Sequence, residues 1–198
     1  MGELPMATFR DLTNYLQEVG ATEVVHSDKG YLAHAIGVYN DLKKWGWDEE
    51  LARIGIFHSI YGTQVFQGFT LPLEKRSEIA ELLGDRAEQL CWLNCAIDRR
   101  HFDNEIVKTE GPYRILDRFS GETADVPDED FDALCFMHLC DWLEQVSRSG
   151  AYDYRRTGYR YLANRVGGVG LDNYNRVFAD APEQSWSDEY EWPANVPR

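Results

Sequence analysis

The sequence lacks an apolar run of about 18 residues, the length a helix needs to cross a bilayer, so no membrane span is expected. It also lacks a continuous hydrophobic stretch near its start. Glu3, Asp11 and Glu18 interrupt Met1 to Val25, which argues against an export signal and for a cytoplasmic protein. Basic residues are few: 20 Lys and Arg stand against 34 Asp and Glu, a net charge of −14. A chain of that sign repels a phosphate backbone unless one face is strongly basic. The short patches Asp98-Arg99-Arg100-His101 and Arg155-Arg156 are of the kind that pair with neighbouring acids. Nucleic acid is therefore not expected as a partner. Cysteine is scarce as well, with 4 residues. Cys91 and Cys95, and Cys135 and Cys140, lie in apolar segments without the paired C-x2-C knuckles of a zinc ribbon. They read as buried thiols in a reducing compartment. Internal repeats and low-complexity tracts are missing too.

What is present is the composition of one globular domain, 198 residues of which 43% are hydrophobic. Thr8 caps a helix through Phe9, Leu12, Leu16 and Val19, which form one apolar stripe, and Gly20 stops it. A second helix is predicted from Gly30 to Trp45, ended by Gly46. Asp48 opens a third, with Glu49 and Glu50 at the positive end of its dipole, running through Ile54 and Phe57 to about Ile60. Residues 61–70 read as a loop. Pro72 starts a helix that breaks at Gly84, and Asp85 caps a core helix carrying Leu90, Cys91, Leu93 and Ile97. Tyr113 to Val126 has the pattern of a short surface hairpin with a Gly turn. Pro127 and its acidic followers lead into a helix from Phe131 to Val146, and another covers Tyr152 to Val166. Beyond it lie Gly167-Gly168-Val169-Gly170, a short helix near Tyr174 to Phe178, and a tail without period. The tail's Trp186, Tyr190 and Trp192 can dock on the body or on a second subunit, as in a homodimer.

Histidine is sparse, with 5 residues, so their positions carry weight. His34 stands in the second helix and His58 near the end of the third, both among apolar neighbours. Each lies 12 residues from Gly46, one before and one after. At about 1.5 Å per residue, two antiparallel helices joined there bring both to similar heights. Helical bundles build metal sites from such inward-facing side chains. A buried histidine hydrogen-bonded to a carbonyl is the ordinary alternative. Asp141, set in Leu139-Cys140-Asp141-Trp142-Leu143, adds an acid that needs a cationic partner if buried. His138 stands one turn earlier on the same face.

These segments resemble a known superfamily. Tyr31-Leu-Ala-His34-Ala-Ile-Gly-Val-Tyr39, Leu51-Ala-Arg-Ile-Gly-Ile-Phe-His58-Ser59-Ile-Tyr-Gly62 and Cys140-Asp141 look like the H…HD…D arrangement of HD-domain proteins. The run His58-Ser-Ile-Tyr-Gly-Thr63, with Asp117-Arg-Phe-Ser-Gly-Glu122 and Asp141-Trp-Leu-Glu-Gln145, is similar to an uncharacterised family of small HD-like proteins. The resemblance covers about Phe9 to Gln145 and implies an all-α, HD-domain-like bundle. The bundle would span residues 1–166, with the hairpin as an insertion, and residues 167–198 would form a C-terminal arm.

The resemblance further implies that His34, His58 and Asp141 take the places of three metal ligands. The sequence departs from the pattern at Ser59, where HD proteins carry an aspartate that binds or bridges metal. A neutral hydroxyl is a poor ligand for a divalent ion, so a single metal is expected. His26 can serve as an extra ligand, giving a set that suits Fe, Mn or Zn with an open position. Ser59, Tyr61 and Arg99 are the candidate catalytic residues. Tyr61, with Tyr39, would orient a small-molecule substrate, and Arg99, Arg100 or Arg155 would bind an anion. Three activities fit: single-metal phosphoester hydrolysis, oxidation by an iron-dependent HD-like oxygenase, and binding by a helical module that kept the fold without the metal.

Overall fold

Thr8 opens α1 (Phe9–Glu18) with a capping box: its hydroxyl accepts from the Asp11 amide at 3.3 Å, and the Asp11 carboxylate accepts from the Thr8 amide at 2.8 Å. The coordinates come from a computed structural model that describes residues 7–26 and 29–185. The protein is all-α with a small β-hairpin. No helix among the described residues is long and apolar enough to cross a membrane. The chain divides into two compact units, residues 1–95 and 96–198.

In the first unit, a two-residue ladder of β1 (Val25–His26) with β2 (Lys29–Gly30) precedes α2 (Tyr31–Lys44). Sequence patterning did not anticipate that ladder, since strands this short carry no alternation. The end of α2 is a Schellman turn: the Trp47 amide donates to Leu42 O at 3.1 Å and the Gly46 amide to Lys43 O at 3.1 Å. Gly46 sits at φ 97°, a backbone state costly to any residue with a Cβ.

The third helix, expected to be continuous to Ile60, is instead two short pieces. They are α3 (Glu49–Ala52), capped by the Asp48 side chain, and α4 (Ile54–Phe57). Around and after them the chain tightens into three-residue turns, Ile56 N donating to Arg53 O, Ile60 N to Phe57 O and Gly62 N to Ser59 O. Apolar periodicity does not distinguish such tight turns from a regular helix, because both place every third or fourth residue inward. A 3-10 turn (Leu73–Lys75), α5 (Arg76–Leu83) and α6 (Asp85–Ala96) follow. Leu12, Leu16, Ala35, Val38, Leu42, Ile54, Phe57, Ile79 and Leu90 are among the buried side chains of this unit.

α2 and α4 approach each other closely at Gly55. A Cβ there would lie 2.6 Å from Tyr39 N and 2.8 Å from Tyr39 Cα. Those are backbone atoms that cannot swing aside.

In the second unit, Asp98 caps α7 (Arg99–Glu105), its carboxylate accepting from the His101 amide at 2.8 Å. The sequence pattern of this stretch is that of a short basic patch and does not by itself indicate a helix. The hairpin falls where it was expected, β3 (Tyr113–Leu116) against β4 (Thr123–Val126), with Tyr113 opposite Val126 and Leu116 opposite Thr123. Asp117 shapes its loop by accepting from the Phe119 amide at 2.8 Å and the Ser120 hydroxyl at 2.7 Å. Next come α8 (Asp128–Ser149), ended by Gly150, and α9 (Arg156–Val166).

The stretch expected to begin an arm at Gly167 begins as a full helix, α10 (Gly168–Phe178), packed on α8 and α9. In its first turn, Gly170 is there for proximity. A Cβ at Gly170 would lie 2.4 Å from Val166 Cγ1 and 3.2 Å from Leu139 Cδ2. The tail's Trp186, Tyr190 and Trp192 lie outside the described residues. All four cysteines are buried and none is in a disulfide, and burial raises the Cys91 and Cys135 thiols above their usual range.

Substituting Gly55→Ala should cost about 1–3 kcal/mol through forced overpacking of α4 on α2. Urea unfolding of the variant checks this; a midpoint equal to wild type would mean that the contact is not rigid.

Candidate metal centre

The Gly55 contact sets the register of α2 against α4, and the two imidazoles meet there. The ring centroids of His34 and His58 are 5.1 Å apart and edge-on at 86°. Both side chains are buried. His58 Nδ1 lies 2.8 Å from Gly55 O. A carbonyl only accepts, so the proton of the neutral ring sits on Nδ1 and the lone pair is on Nε2. That is the tautomer a metal ligand uses, with the remote nitrogen donating to a backbone carbonyl. The backbone carrying His58 is itself anchored: His58 O accepts from Asn94 Nδ2 at 2.7 Å and from the Cys95 thiol at 3.4 Å, both on α6.

Asp141 lies on α8 and is buried at 7% exposure. Gln145, one turn on, donates from Nε2 to Asp141 Oδ1 at 3.0 Å. His34, His58 and Asp141 each offer a ligand atom, and these atoms all lie within 4.8 Å of one another, a group that could hold a metal ion. Two imidazoles and one carboxylate suit Zn, Fe or Mn and leave further coordination positions open. The donor chemistry and the His58 tautomer both fit such an ion.

Each of the other candidates whose side chain is described has a partner of its own. The Ser59 hydroxyl donates to the Tyr31 hydroxyl at 3.2 Å, and the Tyr31 ring lies under Phe66 and Phe69 at 5.7 and 5.2 Å. Tyr61 donates to Glu88 Oε1 at 2.8 Å, and that carboxylate is also gripped by Arg76 at 2.7 and 2.8 Å. Burial, reinforced by Glu88, pushes the Tyr61 phenol far above its usual range, so it stays protonated as a donor. Tyr39 points its hydroxyl at Glu49, 2.8 and 2.9 Å from the two oxygens. Burial first, and then this bond, raise it to about 12. His26 stands in β1, and its side chain lies outside the described residues.

Arg99 donates from Nη1 to the Tyr154 hydroxyl at 2.9 Å. Arg155 does not offer itself to an anion. It is fully buried, donates from both Nε and Nη2 to Asp103, and donates from Nη1 to His138 Nε2 at 2.8 Å. Because arginine only donates, His138 Nε2 must accept, which holds that ring neutral and ties it to Arg155. This pair was missed in the sequence because Arg155 and Asp103 are 52 positions apart, and charge patterning reports only near neighbours. Asn94 and Gln145 were missed as well. Their only signal was an amide inside an apolar helical run, where burial demands a bonding partner.

Residues 15–99 match the model of a family described as "Domain of unknown function (DUF6817)". That stretch contains His34 and His58 and ends before Asp141. Neither the curated proteins nor the solved structures give a match.

Breaking the Arg155–Asp103 pair leaves one buried charge uncompensated. Asp103→Asn should therefore destabilise the protein by about 3–5 kcal/mol, read as a fall in the denaturation midpoint. Loss below roughly 1 kcal/mol would show the guanidinium finding other acceptors.

Proposed function

We propose that the protein is a single-metal enzyme acting on a small molecule, with His34, His58 and Asp141 as ligands and phosphoester hydrolysis as its reaction. The observation that carries this reading is the buried cluster of two imidazoles and one carboxylate with ligand atoms within 4.8 Å of one another. The His58 tautomer set by Gly55 O supports it, and so does the likeness of the same three residues to the HD pattern. A divalent ion held there supplies a Lewis acid and lowers the pKa of water. The chain's own contribution is to exclude solvent and fix the donors. His58 presents Nε2 because Nδ1 is occupied, and Asp141 is steadied by Gln145. Ser59, bonded to Tyr31, brings no carboxylate to where a second ion would be bridged, which supports one ion per chain.

A second reading, iron-dependent oxidation of a small organic substrate, draws on two observations. Two histidines with one carboxylate form the donor set of non-haem iron oxygenases. Arg155, an expected anchor for a phosphate, is committed to Asp103.

Metal analysis of the purified protein is the deciding experiment. Wild type should retain about one equivalent of ion, and His58→Ala should bind at least roughly 10-fold more weakly, as expected for loss of a direct ligand. Equal metal content in the two proteins ends the proposal. Phosphate release with manganese or magnesium then supports hydrolysis, and oxygen uptake with ferrous iron supports the second reading.

A further inference from the structure

The side chain that deepens this reading is Gln145. It lies on α8 one helical turn after Asp141 and is buried at 7% exposure. Its amide nitrogen is 3.0 Å from Asp141 Oδ1 and 3.4 Å from Asp141 O. An uncharged amide in the interior is costly unless bonded, and an apolar residue would fill the same place without that cost. Its neighbour Glu144 turns instead to Arg148, at 2.7 Å, so the two consecutive polar residues serve different purposes. A carboxylate with two equivalent oxygens can meet an ion through one or both. An amide N–H fixed on Oδ1 makes them inequivalent.

Resting on the metal reading above, we propose that Gln145 is a positioning residue. Its amide occupies Oδ1 and turns Oδ2 toward the ion, so that Asp141 binds through a single oxygen and coordination positions stay open for substrate. His58 is treated in the same way, with one atom of the group engaged by a hydrogen bond to Gly55 O and the other left for the ion. The carboxylate and the imidazole are each oriented by a neighbour three or four residues away on their own segment. The site's shape is therefore written into two local stretches of chain.

The test uses Co2+ as the probe, titrated into full-length metal-free protein and followed by its visible absorption. Gln145→Met keeps the volume and removes the donor. Gln145→Asn keeps the amide but is one methylene too short to span the turn, and it serves if the first variant does not fold. Wild type should bind one Co2+. Each variant should bind about 10–100-fold more weakly with displaced visible bands, while melting of the metal-free forms stays close to wild type. A variant with wild-type affinity and an unchanged spectrum overturns the positioning role alone. A variant whose metal-free melting falls while its spectrum is unchanged assigns Gln145 to packing and overturns it too. Failure of wild type to take up Co2+ overturns the metal reading, and this proposal with it.

Discussion

The backbone-to-backbone approach of α4 to α2 at Gly55 is the constraint on which the first unit depends. With no side chain at that position, the two segments close until a methyl group would overlap the Tyr39 backbone. That closeness puts His34 and His58 ring to ring. Gly55 acts twice, because its carbonyl selects the tautomer of the histidine three residues later. One residue thus sets both the spacing of two nitrogens and the availability of one of them.

The second unit depends on an interaction of the opposite character. A fully buried guanidinium and carboxylate are expensive to desolvate, and they persist only where geometry and extra hydrogen bonds repay the cost. Arg155 has such bonds, to Asp103 and to His138, and its ring neighbour Tyr159 stacks on Trp142 at 5.0 Å. Arg155 itself adopts φ 44°, a left-handed state that costs a non-glycine residue about 1 kcal/mol or more. The strain falls where the chain turns into α9, and the buried ion pair holds it in place.

How much could be read from the sequence depended on the range of the cause. Capping by Thr8 and Asp48, the Gly46 stop and the hairpin at Tyr113–Val126 are local, and patterning places them close to where they stand. The pairing of His34 with His58 was accessible because symmetry about one turn is a simple count. The division of the third helix was not, since tight turns and a regular helix share the same apolar spacing. The Asp98 cap was available and overlooked, because the arginines behind it drew the stretch into a charge-pairing reading. Arg155 was expected to pair with an acid or to bind an anion; it pairs with an acid, but the partner, Asp103, is 52 positions away and could not be named from the sequence. Gln145 stands four residues after Asp141, and only the folded distance of 3.0 Å shows that its amide meets that carboxylate.

The buried thiols carry a practical consequence. Thiolate is the reactive form, and Cys91 and Cys135 are kept protonated by their surroundings. Alkylating reagents should pass over them while the chain is native and label them once it opens. Cys91 belongs to residues 1–95 and Cys135 to residues 96–198, so the molecule holds a built-in chemical clock for the opening of each half.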